Sequence, residues 1–245
     1  MILFAYLKEI YMGSLKVILF DCMETLIDLT ELPAMRDYAV WAYNGSGVED
    51  LWEDFEDFFR SYVSAKKALE DDLPKHKEYE LLERFEVIAR MNAQAGNENT
   101  AGTTAMKLYT NYWRNYVSKC YVKEDVREVI IRLSGKYSLG VVSNFMVKDG
   151  IEELLERNDL LDYFKFVVTS VKEGWRKPCP LIYSTAVQKA GVKMENIIFI
   201  GDDYINDYLG PKNFGLKAVL LDRYNKYPQL TERVQDFYSL EYYIG

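Results

Sequence analysis

The sequence predicts an α/β protein, a doubly wound parallel sheet with an α-helical domain inserted after the first strand. Three observations predict it. Short apolar runs recur with helical patterns between them, each run ends in small or polar residues, and the span between the first two runs shows helical periodicity and no convincing strand.

The first run, "KVILF" (16–20), is β-branched and continuous, as a strand buried on both sheet faces should be. Residues 30–118 follow as the helical insertion. Its clearest stripe is Leu51, Trp52, Phe55, Phe58, Phe59, Tyr62 and Val63 at helical spacing. Leu81, Leu82, Phe85 and Ile88 form a second, and Tyr109, Tyr112, Trp113, Tyr116 and Val117 a third. These aromatics read as a bundle core. "YNGSGVED" and "NAQAGNENTAGTT" read as internal turns because Gly, Asn and Thr dominate them.

After the insertion, Val126, Val129, Ile130 and Leu133 predict a helix before the strand "SLGVVSN" (138–144). Ile151, Leu154 and Leu155 precede "FKFVVTS" (164–170), and "PLIYSTAVQKAG" precedes "NIIFIGD" (196–202). "LKAVLL" (216–221) closes the pattern as a fifth strand. The core is therefore expected over residues 12–29 and 119–245, with residues 1–11 as an N-terminal extension ahead of Met12.

Thirty-eight acidic against thirty basic side chains give a net charge of -8, which repels nucleic acid and anionic membranes. No Lys/Arg cluster offsets it. Cys22, Cys120 and Cys179 are odd in number and in no CxxC spacing, which points away from disulfides and zinc and toward a reducing, cytoplasmic setting. The N-terminal apolar run is broken by Lys8 and Glu9, unlike a signal or a membrane span. His76, the single histidine, lies among charges beside Pro74 and reads as a solvated loop or helix-start residue, so histidine catalysis is not expected.

Chemistry concentrates at the strand ends. Asp21 and Thr25 follow the first strand, Ser143 and Asn144 the second, Lys177 the third, and Asp202, Asp203 and Asp207 the fourth. A parallel sheet presents its ligand site along that edge. An N-cap role accounts for Asp203 alone. It does not account for two adjacent carboxylates in "IIFIGDD", where like charges are costly unless a cation or a shared proton offsets them.

"VILFDCMETL", "GVVSN", "EGWRKPCPLIY" and "IFIGDDYINDYLGPKNFGLKAV", in this order and spacing, resemble the four motifs of the haloacid dehalogenase (HAD) superfamily. The helical insertion resembles, in position, the cap of the subclass that includes dehalogenases, phosphonatases and small-molecule phosphatases. The resemblance implies a Rossmann-like core and a hydrolase in which Asp21 forms a covalent aspartyl phosphate. It also implies Mg²⁺ held by Asp21, the main-chain carbonyl of Met23 and Asp202, with Asp207 or Asp203 in support. Lys177 would neutralise charge, Ser143 and Asn144 would bind phosphoryl oxygens, and Thr25 would fix the nucleophile loop. A small phosphorylated metabolite is the implied substrate.

The chain departs from the phosphatase pattern Asp-x-Asp-x-Thr at Met23, where the second Asp would serve as acid and base. A thioether carries no titratable proton. Glu24 is next to it, but adjacent loop residues point differently, and Glu24 reads as a cap contact or a helix start rather than a substitute acid. Dehalogenases also lack the second Asp but use no metal and a cap arginine, for which Arg36 and Arg60 are the early candidates. Phosphonatases use a cap lysine, for which Lys66 and Lys67 are conceivable. A weakened member that binds a ligand or partner completes the set of readings.

Overall fold

The computed structural model describes residues 15–92 and 98–245, so the expected extension over residues 1–11 lies outside the described residues. The chain divides into two compact units. One, an α/β unit, holds the described residues to Asp28, Tyr121–Phe145 and Asp149–Gly245; the other, helical, holds Leu29–Cys120 and Met146–Lys148.

In chain order, β1 (Val17–Phe20) and β2 (Asp28–Leu29) precede the helices α1 (Met35–Tyr43), α2 (Phe55–Asp72), α3 (Leu81–Met91) and α4 (Glu98–Val117). Then come β3 (Cys120–Tyr121), α5 (Glu124–Ser134), β4 (Ser138–Ser143), α6 (Gly150–Arg157), β5 (Phe164–Thr169), α7 (Ser170–Glu173) and α8 (Pro180–Ala190). The chain finishes with β6 (Ile197–Gly201), a π-helical turn (Tyr204–Leu209), α9 (Gly210–Phe214), β7 (Lys217–Leu221), β8 (Arg233–Val234) and α10 (Phe237–Ile244).

The main sheet has the order β5-β4-β1-β6-β7-β8 and every pairing in it is parallel. All five expected strands are present within a residue or two of their predicted ends. β8 is two residues long and α10, though rich in apolar residues, only eight, spans too short to be read beforehand. From β1 the chain builds outward through β4 and β5, then returns to β1's other side as β6. The order therefore reverses between β1 and β6, which is where a doubly wound sheet opens a crevice at its carboxyl edge.

β1 is central, and Val17, Ile18, Leu19 and Phe20 are all buried. Val17 and Leu19 join Val142, Val168, Tyr183, Phe199 and Leu220 in one core cluster. On the opposite face Phe20 stacks with Phe237 of α10 at 5.9 Å and meets Phe164 edge-on at 6.3 Å. Burying a side chain of this size contributes about 1.5–3 kcal/mol. At Gly140 of β4 an added Cβ would sit 2.6 Å from the Phe166 ring, so glycine is what lets that ring lie across the strand.

In the helical unit the first stripe is shorter than its periodicity suggests. Residues Glu49–Leu51 form a 3₁₀ turn, and α2 starts only at Phe55, because the Asp54 carboxylate accepts the Asp57 N–H at 2.9 Å and caps it. Val63 is partly exposed, at 38%, whereas Trp52, Phe58, Tyr62, Phe85, Tyr112 and Tyr116 are buried as a core. The expected turn "NAQAGNENTAGTT" is corrected in part, since residues from Glu98 onward belong to α4. Ala101, Thr104, Ala105 and Leu108 are its buried stripe, made of side chains small enough to read as loop. Asn111 then donates to the carbonyls of Trp41, Ala42 and Asn44 at 3.0, 3.0 and 2.8 Å, satisfying the end of α1. His76 is half-buried in a turn with φ 66°, not fully solvated. No helix among the described residues is long and apolar enough to cross a membrane.

Candidate active site

The site lies at the carboxyl ends of β1, β4 and β6. Asp21 directly follows β1, and its N–H donates to the Ile200 carbonyl at 2.8 Å, which extends the pairing with β6 by one step. Its carboxylate Oδ1 accepts from Lys177 Nζ at 2.6 Å, and the same ammonium donates to Asp207 Oδ1 at 2.7 Å. All three side chains are buried. Asp21, Asp202 and Asp207 each offer a carboxylate oxygen within 4.8 Å of the others.

Lys177 is held by its backbone. The Asn144 amide accepts the Lys177 N–H at 2.6 Å and donates to the Lys177 carbonyl at 3.1 Å, as a neighbouring strand would. Asn144 thus positions the lysine and keeps one amide hydrogen for another acceptor. Ser143, which ends β4, is buried beside it. The loop beyond is tied by Ser170, whose Oγ accepts the Phe145 N–H at 2.9 Å.

The two candidates for the third carboxylate take different roles. Asp203 accepts from the N–H groups of Ile205 and Asn206 at 2.9 and 2.7 Å, so it caps the π-helical turn. Asp207 turns inward from that turn, and its Oδ2 accepts the Asp203 N–H at 3.0 Å. Gly201 makes room for it, since a Cβ there would lie 2.5 Å from the Asp207 side chain. Thr25 is fully buried and donates its hydroxyl to Asp202 Oδ1 at 3.3 Å. Sequence reasoning missed Arg223, just beyond β7, which donates to the carbonyls of Glu24 and Thr25 and to Asp28. Its position at a strand's carboxyl end was the available signal.

Met23 bridges to Ile27 across a tight turn in which Glu24 has φ 59°. Of the residues considered for other chemistries, Arg36 pairs with Glu56 beside the rings of Phe55 and Phe59, Arg60 pairs with Asp57, and Lys66 with Glu70. Lys67 is exposed. A cavity of about 640 Å³ lies wholly within the helical unit, bordered by Gly45, Ser46, Lys107 and Arg114 among others. No member of the carboxylate cluster lines it, so it is not the catalytic centre.

The electrostatics follow from burial. Desolvation raises the Asp202 carboxyl to about 7, with the charge of Asp21 adding to it and Lys177 and Thr25 opposing. Burial likewise lifts Asp207 well above the ordinary carboxylate range, although Lys177 opposes the rise. For Lys177 burial alone would lower the pKa, but Asp207 and Asp21 outweigh it and hold the ammonium charged. With all groups ionised, three carboxylates against one ammonium leave two negative charges. An all-oxygen set with that excess fits a hard divalent cation such as Mg²⁺.

A bound cation would compete with a proton for Asp202, whose carboxyl is raised to about 7. Mg²⁺ affinity is therefore expected to rise between about pH 6 and about pH 8. Without metal, the raised pKa means that the folded state holds this proton more tightly than the unfolded chain, so Asp202's contribution to stability is lost as pH rises through about 7. Calorimetric Mg²⁺ titrations at the two pH values check the sign, and equal affinities would contradict it.

The sequence model of the family described as haloacid dehalogenase-like hydrolase matches residues 15–215. The chain belongs to this family. This HAD-like hydrolase is 29% identical over 228 residues to a glyceraldehyde 3-phosphate phosphatase of Pyrococcus furiosus, covering 92% of this chain and 88% of the relative. It is 30% identical over 209 residues to the Pyrococcus abyssi protein of the same name, covering 84% and 80%. In fold it is similar to a 2-haloacid dehalogenase from Pseudomonas syringae (TM-score 0.75, 19% identity, 94% of this chain and 98% of that one). It is also similar to a HAD phosphatase from Thermococcus onnurineus (TM-score 0.66, 20% identity, 94% and 98%). At these identities the structural likeness establishes the HAD fold alone.

Proposed function

We propose that this HAD-like hydrolase is a Mg²⁺-dependent phosphatase of small phosphorylated metabolites, with Asp21 as its nucleophile. The observation that carries the reading is the buried Asp21–Lys177–Asp207 bridge with Asp202 beside it. Asp21, the Met23 main-chain carbonyl, Asp202 and Asp207 would hold the cation. When bound, Mg²⁺ screens the repulsion between a carboxylate and an anionic phosphoryl group.

Asp21 attacks phosphorus, an Asp21 O–P bond forms, and the bond to the leaving oxygen breaks. Lys177, Ser143 and the remaining amide hydrogen of Asn144 hold the phosphoryl oxygens. Water then cleaves the aspartyl phosphate, releasing inorganic phosphate and the free Asp21 carboxylate. The helical unit acts as the substrate-selecting cap. The two archaeal relatives' names make glyceraldehyde 3-phosphate the first compound to assay. The three cysteines, odd in number and in no CxxC spacing, support a reducing, cytoplasmic setting.

Met23 leaves the departing alkoxide without a side-chain proton donor at the usual position, which favours esters with acidic leaving groups. The same residue favours a second reading, hydrolytic dehalogenation, because halide leaves unprotonated. The carboxylate cluster weighs against it. Hydrolysis of para-nitrophenyl phosphate with Mg²⁺ and with EDTA tests the choice. Metal-dependent turnover supports the phosphatase, whereas halide release from a 2-haloacid without it supports the dehalogenase. Met23→Asp is expected to raise the alkyl-to-aryl rate ratio, toward the ~10²–10⁴-fold worth of an acid–base catalyst. An unchanged ratio would sink the leaving-group explanation.

A further inference from the structure

The turn that carries Met23 and Thr25 is tied internally by two carbonyls, that of Ile27, which accepts the Glu24 N–H at 2.8 Å, and that of Cys22. The Cys22 carbonyl accepts the N–H groups of Thr25, Leu26 and Ile27 at 3.3, 2.8 and 2.9 Å. Glu24 meanwhile sits at φ 59°, a conformation that is unfavourable for a residue with a side chain. A side chain from outside the turn can reinforce it.

Arg223 does so. Its Nη1 donates to the Glu24 carbonyl at 3.1 Å and to Asp28 Oδ1 at 2.6 Å, and its Nη2 donates to the Thr25 carbonyl at 2.9 Å. The side chains of Arg223 and Asp28 are only 12% and 5% exposed, so solvent does not compete freely for these bonds. The ammonium of Lys123 lies 3.2 Å from the other Asp28 oxygen, so the carboxylate is held from both sides. A planar fork can span two successive carbonyls and a carboxylate; a single ammonium cannot.

The turn passes this restraint to the carboxylate cluster. Thr25, whose carbonyl Arg223 holds, donates its hydroxyl to Asp202 Oδ1 at 3.3 Å. Met23, whose carbonyl is a proposed cation ligand, is the residue before Glu24. We propose that Arg223, braced by Asp28, is a positioning residue that locks the 22–27 turn and thereby sets the affinity of the site for its divalent cation. The inference rests on the Mg²⁺-dependent reading of the same site.

The test is calorimetric titration of Mg²⁺ into the full chain and into Arg223→Met, Arg223→Lys and Asp28→Asn, each shown to be folded by circular dichroism. Kinetics on para-nitrophenyl phosphate are measured alongside. Arg223→Met is expected to weaken Mg²⁺ binding about 10–100-fold and to lower kcat at fixed Mg²⁺ with little change in KM. Arg223→Lys is expected to recover little of the loss, and Asp28→Asn to cost less than Arg223→Met. If Arg223→Met does not fold, the Lys variant decides.

Mg²⁺ affinity within about twofold of wild type in the folded Met variant, or full recovery by lysine, would overturn the proposal. Wild type that binds Mg²⁺ without turning over the ester would overturn the phosphatase reading and leave the titrations to judge Arg223. Wild type that binds no Mg²⁺ would overturn both.

Discussion

Lys177→Met is expected to destabilise the metal-free protein by about 3–5 kcal/mol, the cost of removing one partner from a buried ion pair. The loss is large because Lys177 is the shared cation of two buried carboxylates, Asp21 at 2.6 Å and Asp207 at 2.7 Å, and methionine replaces its length without its charge. Two conditions should reduce the cost. Saturating Mg²⁺ restores positive charge to the cluster. Lower pH also helps, since carboxyls whose folded pKa lies above the unfolded value favour the fold while protonated, and that contribution is lost as pH rises. Urea unfolding with and without Mg²⁺, at about pH 5 and about pH 8, reads all three effects. A cost below about 1 kcal/mol in every condition would mean that the bridge is only as valuable as a surface pair.

Asp21→Asn should reduce turnover by at least about 10³-fold, because an amide cannot form the proposed covalent intermediate. Its stability should move the other way. Asp21 contributes to the raised pKa values of Asp202 and Asp207, so removing its charge relieves repulsion within the cluster. An inactive protein with an unchanged or raised urea midpoint is therefore expected, as when a site gives up stability for activity. Rates on para-nitrophenyl phosphate and unfolding curves from one preparation test both halves. Retained Mg²⁺-dependent turnover would remove Asp21 from the mechanism.

The sequence by itself determined the sheet and the edge on which the chemistry lies. Strands buried on both faces must be continuous apolar runs, and "VILF", "VVS" and "IIFIG" are too apolar to sit elsewhere. A parallel sheet has one carboxyl edge, so Asp21, Ser143, Lys177 and Asp202 were bound to meet once the strands were recognised. Short or small-residue elements were less legible. α4 begins among Thr, Gly and Ala that read as turn, and β8 is two residues long.

Only the tertiary structure decided how the site is divided. It separated Asp203, a cap, from Asp207, a buried member of the cluster, four residues apart and chemically identical. It showed Asn144 bound to the backbone of Lys177, 33 residues away in sequence. It also brought Arg223 to the carbonyls of Glu24 and Thr25 across separations of 199 and 198 residues. The physical reason is common to these last two. A side chain that recognises main-chain N–H or C=O groups makes no demand on the identity of its partner, so no pair of residue types in the sequence records the contact.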